Sequence, residues 1–159
     1  MNHHLPRKYI LLVEDSLDDV KLTRRALKRG NITNDVVVAR DGAEALRHLL
    51  DGRHDSAPAE TSSKLAVILL DVNLPRVDGL EVLRRLRADQ RHRRTPVVML
   101  TSSREEKDVV RSYDLGANSY IRKPVDFEQF AEMMRVLGTY WLALNELPPN
   151  GELCRVQET

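Results

Sequence analysis

The stretch VILLDVNLP, residues 67–75, decides the fold of this chain. It lies in the most continuous apolar run of the sequence, residues 65–70, and that run ends at Asp71. A strand without polar alternation is typical of a parallel sheet covered on both faces. Burying an unpaired carboxylate is costly, so Asp71 needs a cation, hydrogen bonds or a chemical role. The stretch therefore predicts a parallel sheet with a functional aspartate at one edge.

Three further segments begin apolar and end polar. They are LLVED at residues 11–15, VVMLTSS at residues 97–103 and SYIRKP at residues 119–124. Because the carboxyl ends of parallel strands meet at one edge of a sheet, we expect their terminal polar groups to lie near Asp71. These groups are Glu14, Asp15, Thr101, Ser102 and Lys123. A carboxylate cluster with one ammonium and one hydroxyl can hold Mg²⁺ and a phosphoryl group together.

The rest of the chain alternates strand and helix patterns. Strands are predicted over residues 9–13, 36–39, 65–70, 97–100 and 119–121. Helices are predicted over residues 16–29, 41–52 and 78–87, from 103 to near 116, and from 126 onward. Their expected caps are Ser16, Asp41, Asp78, Ser103 and Asp126, with Gly30 and Gly52 closing the first two helices. Five strands alternating with five helices predict a doubly wound α/β fold.

Size and charge limit the kind of protein. A chain of 159 residues and 18.2 kDa has room for one domain with a sizeable core, and its net charge of +1 gives no general attraction to DNA or anionic membranes. No apolar run approaches the roughly 20 residues needed to span a bilayer. The first eight residues contain no apolar signal core, and Cys154 is the single cysteine. We therefore expect a cytoplasmic protein that is not attached to a membrane.

Two segments depart from the alternation. Residues 51–64 form the longest internal polar stretch, which predicts a surface loop. The last helix carries an apolar stripe at spacings of three and four residues, and most of it should face the core. The stripe consists of Phe127, Phe130, Met134, Leu137 and Trp141. Trp141 comes late enough to form a partner surface, so we expect a two-fold dimer through the last two helices and the fifth strand.

Each candidate site residue also has a purely structural interpretation. Glu14 and Asp15 could merely cap the first helix, and Thr101 could cap the helix that follows it. Lys123 could be a surface lysine or the partner of Asp71 in a structural ion pair. Buried ion pairs stabilise poorly compared with apolar packing, so a pair in a cleft favours function. The joint placement of all the groups at one sheet edge is stronger evidence than any one of them.

The residues that end the strands resemble the receiver domain of two-component response regulators. The resemblance covers residues 9–144, leaving residues 1–8 and 145–159 as tails. It implies a flavodoxin-like sheet of strand order 2-1-3-4-5. It also implies that Asp71 is the phospho-acceptor, that Lys123 binds the phosphoryl group, and that Thr101 and Tyr120 are the switch residues. Pro124 matches a proline whose preceding peptide bond is typically cis in the family.

The resemblance also implies a Mg²⁺ site. Asp15 and Asp71 would bind the ion directly, Glu14 would act through water, and the backbone carbonyl of Asn73 would complete the protein ligands. Such a protein accepts phosphate stoichiometrically from a histidine kinase and is not an enzyme in the usual sense. We expect that only about fifteen residues after Leu144 leave no room for a DNA-binding output domain.

Two features suggest a narrower group within the family. The long loop at residues 51–64 and the ending LGTYWLALNELPP at residues 137–149 resemble the single-domain receivers that serve bacterial and cyanobacterial phytochromes. The implied partner is a phytochrome-type histidine kinase.

Two other functions fit parts of the sequence. Phosphatases of the haloacid-dehalogenase type also use an aspartate, Mg²⁺ and a lysine, but they need an acid two residues after the nucleophile, where this chain has Asn73. A run of arginines could contact nucleic acid, but no aromatic residues interleave to stack on bases, which favours a solvated face. The run consists of Arg84, Arg85, Arg87, Arg91, Arg93 and Arg94.

Overall fold

A single parallel sheet forms the centre of the molecule. The computed structural model describes residues 7–51 and 64–148. The strands are β1 (Lys8–Val13), β2 (Val36–Ala39), β3 (Lys64–Leu70), β4 (Val97–Thr101) and β5 (Ser119–Arg122). Their order is β2-β1-β3-β4-β5, and every neighbouring pair is parallel. The predicted strand order is confirmed.

Helices connect the strands in the predicted alternation. They are α1 (Leu17–Arg29), α2 (Gly42–Leu50), α3 (Gly79–Ala88), α4 (Glu106–Asp114) and α5 (Phe127–Thr139). A π-helix, Tyr140–Leu144, extends α5. Predicted and observed bounds of the strands differ by one residue at most. Among the described residues, no helix has the length and apolar character that crossing a membrane requires.

Most helix starts follow the predicted capping chemistry. The side chains of Ser16, Asp41 and Asp78 accept hydrogen bonds from the backbone N–H groups three residues later, and Asp126 caps α5 in the same way. Ser103 does not cap α4, so that prediction is wrong. α4 begins later, after Glu105, and the Ser103 hydroxyl instead donates to the Asp108 carboxylate at 2.5 Å. Gly30 ends α1 as predicted, whereas Gly52 lies outside the described residues.

The sheet is buried on both faces, as the apolar strands predict. Alternate residues of β1 and β3 divide between two cores. Leu11 and Ile68 face the core formed with α2 and α3, while Ile10 and Leu69 face the core formed with α1 and α5. α4 lies beside β5 and α3. These two cores explain why the strands lack polar alternation.

The apolar stripe of the last helix packs on the α1 side of the sheet. Phe130, Met134 and Leu137 are buried, and Phe127 and Trp141 are partly buried against the same core. The regular helix ends at Thr139, and the π-helix continues toward the amino end of β1. There the ammonium of Lys8 donates to the carbonyl of Leu142 at 3.3 Å. Most of the stripe is core, as expected.

The peptide bond before Pro124 is trans, since the described residues contain no cis peptide bond. The expectation of a cis bond is therefore wrong for this structure. The trans isomer of a bond to proline is favoured by about 0.5–1 kcal/mol. With the bond trans, the Lys123 N–H donates to the carbonyl of Thr101 at 2.9 Å, and its side chain still reaches the carboxylates at the sheet edge.

Gly79 brings α3 against the end of β3. A Cβ atom at this position would lie 1.9 Å from the carbonyl oxygen of Asp71. We therefore predict that Gly79→Ala lowers the free energy of unfolding by about 2 kcal/mol, because the backbone at Asp71 must move. Alanine otherwise stabilises a helix by about 1 kcal/mol relative to glycine. Urea denaturation measures the change, and a variant at least as stable as the wild type would contradict the prediction.

Candidate functional site

The carboxyl ends of the strands bring the predicted polar residues together. The register pairs Val13 of β1 with Leu70 of β3, so the residues that follow them emerge side by side. The Asp71 N–H donates to the carbonyl of Val13 at 3.1 Å, and the Glu14 N–H donates to that of Ala39 at 3.0 Å. The backbone thus fixes Glu14 and Asp71 at the edge of the sheet.

Three carboxylates form one cluster there. Oxygen atoms of Glu14, Asp15 and Asp71 all lie within 4.8 Å of one another. Glu14 and Asp71 are buried, whereas Asp15 is exposed. Carboxylates at this spacing repel one another unless a cation is present, and hard divalent ions prefer oxygen ligands. The cluster fits a divalent metal ion, with the exposed Asp15 open to solvent.

Lys123 brings a positive charge to the same place. Its ammonium lies 2.5 Å from Glu14 Oε2, 3.1 Å from Asp19 Oδ2 and 3.3 Å from Asp71 Oδ2. An ammonium has three N–H donors, and these three carboxylates take all of them. The predicted pairing of Lys123 with Asp71 is present, but it is one of three contacts.

The contact of Asp19 with Lys123 is not anticipated by the sequence reasoning. Asp18 and Asp19 are the two acids in the first turn of α1, where negative charge favours the start of a helix. In the structure the Asp19 carboxylate turns toward Lys123, while Asp18 is exposed. One signal could have found it: Asp19 lies in the first turn of α1, which starts just after the carboxyl end of β1 where Glu14 and Asp15 lie.

Burial dominates the electrostatics of Glu14. Desolvation raises the pKa of Glu14 to about 7, and the nearby Asp71 charge adds to this, although the contact with Lys123 opposes it. Burial alone would lower the pKa of Lys123, but hydrogen bonds and charge from Glu14, Asp71 and Asp19 raise it above its ordinary value. Lys123 therefore stays charged, while the proton on Glu14 is gained and lost near neutral pH.

Thr101 and Tyr120 are linked through one backbone segment. Thr101 is fully buried, and its hydroxyl oxygen accepts the N–H of Ser103 at 3.1 Å. The Tyr120 hydroxyl donates to the carbonyl of the same Ser103 at 3.2 Å. Ser103 also reaches α4 through Asp108. Both predicted switch residues therefore contact the segment between β4 and α4.

Asn73 lies beside the acceptor. Its backbone N–H donates to Asp71 Oδ1 at 3.1 Å. This contact places the Asn73 backbone next to the cluster, and the role of its carbonyl as a metal ligand stays a prediction. The amide side chain cannot protonate a leaving group, so the acid that a haloacid-dehalogenase-type phosphatase requires is not at this position.

The fold and the site agree with the results of comparison against known families. The model of the response regulator receiver domain matches residues 10–135. The chain belongs to the response regulator receiver domain family. Membership favours the receiver interpretation over the phosphatase alternative, and it agrees with the strand order and the site geometry.

Some similar proteins of this family have about the same length as this chain. Response regulator Rcp1 of Synechocystis sp. is 38% identical over 144 residues, covering 90% of this chain and 95% of Rcp1. A crystal structure of Mn²⁺-bound Rcp1 has a TM-score of 0.77, with 37% identity, and covers 89% of this chain and 99% of that chain. Rcp1 therefore binds a divalent ion, and the carboxylate cluster of this chain fits an ion of that charge.

Two further structures come from phytochrome systems. The phosphorylated cyanobacterial phytochrome response regulator RcpA is 38% identical with a TM-score of 0.78, covering 89% of this chain and 99% of its own. The bacteriophytochrome response regulator RtBRR is 52% identical with a TM-score of 0.68, covering 91% of this chain and 86% of its own. The resemblance to phytochrome-type receivers is confirmed at the level of sequence and fold.

The shifted pKa of Glu14 predicts a pH-dependent stability. Because the pKa is about 7 in the folded protein against an ordinary 4.5, the folded state binds more protons between these values. The contribution of Glu14 to stability therefore falls as the pH rises through this window. We compare how far the free energy of unfolding falls when the pH rises from about 5 to about 8 with divalent ions chelated. This fall should be roughly 1–3 kcal/mol smaller for Glu14→Gln than for the wild type.

Urea denaturation at the two pH values measures this difference. Glu106→Gln is the matched control, because Glu106 is an exposed glutamate in the first turn of α4. It should follow the wild type. If Glu14→Gln also follows the wild type, the proton on Glu14 does not control stability.

Proposed function

We propose that this chain is the phospho-accepting response regulator of a two-component system, with residues 9–144 as its receiver domain and Asp71 as the acceptor. The observation that carries the proposal is the placement of Asp71, which is buried at the end of β3 beside two other carboxylates and the ammonium of Lys123. A carboxylate so placed can act as a nucleophile whose product is stabilised by neighbouring positive charge.

The transfer step follows from this geometry. A carboxylate oxygen of Asp71 attacks the phosphorus of a kinase phosphohistidine in line with the departing imidazole. The P–O bond forms, the P–N bond breaks, and the electron pair returns to the imidazole nitrogen, which takes a proton from water. Lys123 offsets charge on the phosphoryl oxygens. Water later hydrolyses the acyl phosphate, so the protein is a stoichiometric acceptor that signals for a limited time.

We assign Mg²⁺ as the resident ion, held by Asp15, Asp71 and the Asn73 carbonyl, with Glu14 acting through water. Among the described residues the cluster consists of three carboxylates without a nitrogen or sulfur ligand, which favours a hard ion. When bound, the ion neutralises charge on the transferred group. Glu14 is held by Lys123 and by the N–H of Ser16, so it is already engaged within the protein.

The switch would run through Thr101 and Tyr120. New phosphoryl oxygens on Asp71 attract the Thr101 hydroxyl, and the shared contact with Ser103 transmits this to Tyr120 on β5. Shifting a two-state equilibrium from 1% to 99% needs about 5.5 kcal/mol of differential binding. Charge-assisted hydrogen bonds of about 1.5–3 kcal/mol each can supply this.

Phosphorylation of Asp71 is directly testable. We predict that acetyl phosphate with Mg²⁺ phosphorylates the wild type, and that Asp71→Asn abolishes the modification because the nucleophile is lost. Intact-protein mass spectrometry measures the product. Asp114→Asn is the control, since Asp114 is an exposed aspartate at the end of α4. Modification of Asp71→Asn at the wild-type rate, or full modification with Mg²⁺ chelated, would sink the proposal.

The partner we propose is a phytochrome-type histidine kinase in the cytoplasm. The support is the similarity to RcpA and RtBRR together with the chain's long loop and its C-terminal ending. Phosphotransfer profiling against a panel of purified kinases tests it. Fastest transfer from a kinase of another class would count against the phytochrome assignment.

We propose that the arginine run forms a solvated face of the protein, and we expect that it does not bind nucleic acid. Arg84 and Arg85 contact Glu81 at 2.7 and 2.9 Å, and Arg91 contacts Asp89 at 3.1 Å. Arg87 donates to backbone carbonyls instead. Two carboxylates thus pair with three of the six arginines, which reduces the positive charge that this face offers to phosphates.

We also propose a homodimer through β5, α5 and the π-helix. A groove of about 1040 Å³ lies on this face, lined by Ile121, Met133, Val136, Tyr140 and Trp141 among others. Val136 is 54% exposed and Tyr140 is 47% exposed, which is unusual for apolar side chains that lie so close together. A second copy of the chain would cover them.

Val136→Glu should weaken this dimer by at least about tenfold, because it places a charge in an apolar interface. Light scattering over a range of concentrations measures the assembly. Arg47→Glu on the exposed face of α2 is the control and should leave it unchanged. A wild type that stays monomeric at high concentration, phosphorylated or not, refutes the dimer.

A further inference from the structure

Every hydrogen-bond donor of the Lys123 ammonium is already in use. Its acceptors are Glu14, Asp19 and Asp71, at 2.5, 3.1 and 3.3 Å. A phosphoryl group on Asp71 brings three more oxygens and nearly two negative charges to the same ammonium. Binding that group therefore requires Lys123 to weaken or release a contact that it already makes.

The three partners differ in what their release would cost. Glu14 is only 2% exposed, and a carboxylate abandoned there must take up a proton or a metal ion, because water cannot solvate it. Asp71 is itself the acceptor, so Lys123 must stay close to it. The side chain of Asp19 is 36% exposed, and water can replace the ammonium there. Asp19 is therefore the partner that Lys123 can leave at the lowest cost.

The surroundings of Asp19 provide space for this exchange. Its backbone N–H is held by the Ser16 hydroxyl at 3.3 Å, which fixes the start of α1 and aims the carboxylate at Lys123. Asp19 and Lys123 together line a pocket of about 390 Å³. Ser102, Thr23 and the exposed Arg104 line the same pocket. The released carboxylate would find water and a second cation there.

We propose that Asp19 is a positioning residue that competes with the phosphoryl group for Lys123 and so limits the stability of the phosphorylated state. The inference rests on the proposed function of Asp71. In the unphosphorylated protein, Asp19 holds the ammonium toward α1. On phosphorylation, one N–H of Lys123 passes from Asp19 to a phosphoryl oxygen. Removing the Asp19 charge therefore favours the phosphorylated form.

The probe for this competition is beryllofluoride with saturating Mg²⁺, which mimics a phosphoryl group on an aspartate. Asp19→Asn should bind it roughly 2- to 10-fold more tightly than the wild type, the range expected for losing one partly exposed ion pair. Asp18→Asn is the matched control, because it removes the same charge from the same helical turn at an exposed position. It should bind like the wild type. Fluorine NMR titration measures the affinities.

A second comparison separates competition for Lys123 from simple charge repulsion. In a Lys123→Ala background, Asp19→Asn should give no gain, because the contested ammonium is gone. An equal gain in that background, or equal or weaker binding by Asp19→Asn alone, overturns the proposal. If Asp19→Asn unfolds, Asp19→Ala serves as the second neutral variant, with thermal unfolding to check each protein.

The phosphorylated lifetime gives an independent measurement. After removal of acetyl phosphate, the acyl phosphate of Asp19→Asn should decay more slowly than those of the wild type and Asp18→Asn. Decay at the same or a faster rate contradicts the competition. Failure of the proposed function looks different, because the wild type and Asp18→Asn would then bind no beryllofluoride and accept no phosphate.

Discussion

The three contacts of the Lys123 ammonium are the interaction on which the rest of the site depends. Glu14 and Asp71 are buried at the carboxyl edge of the sheet, where unpaired charges would be strongly disfavoured. Lys123 compensates them at distances of 2.5 and 3.3 Å. Without that ammonium, the two carboxylates could be buried together only by taking up protons or a metal ion.

In this arrangement the neighbouring carboxylates repel one another, although every N–H group of the Lys123 ammonium has a hydrogen-bond acceptor. Burial raises the pKa of Glu14 to about 7 even with Lys123 beside it, because desolvation of the carboxylate opposes the ion pair. Such pairs stabilise a fold poorly compared with apolar packing. The proposed function explains why these charged groups are buried here. The same groups that cost folding energy would bind a cation and a phosphoryl group.

Hydrogen bonds also connect the site to elements at the surface of the protein. Thr101 and Tyr120 contact the N–H and the carbonyl of one residue, Ser103, and the Ser103 hydroxyl contacts α4. In the proposed switch, a movement of Thr101 toward Asp71 would act on β5 and α4 together. β5 lines the apolar groove that includes Trp141. The face proposed for the dimer therefore adjoins the strand that carries the proposed switch residue Tyr120.

The sequence by itself determined the alternation of strands and helices, the capping of most helices and the meeting of Glu14, Asp15, Asp71 and Lys123, while the strand order came from the resemblance to receiver domains. Apolar runs and capping residues act locally, and parallel strands bring their ends together wherever the fold is doubly wound. Only the tertiary structure decided that Asp19 also binds Lys123, that Ser103 contacts Asp108 and does not cap α4, and that the bond before Pro124 is trans. These outcomes depend on how side chains from distant elements approach one another, and spacing along the chain does not encode that approach.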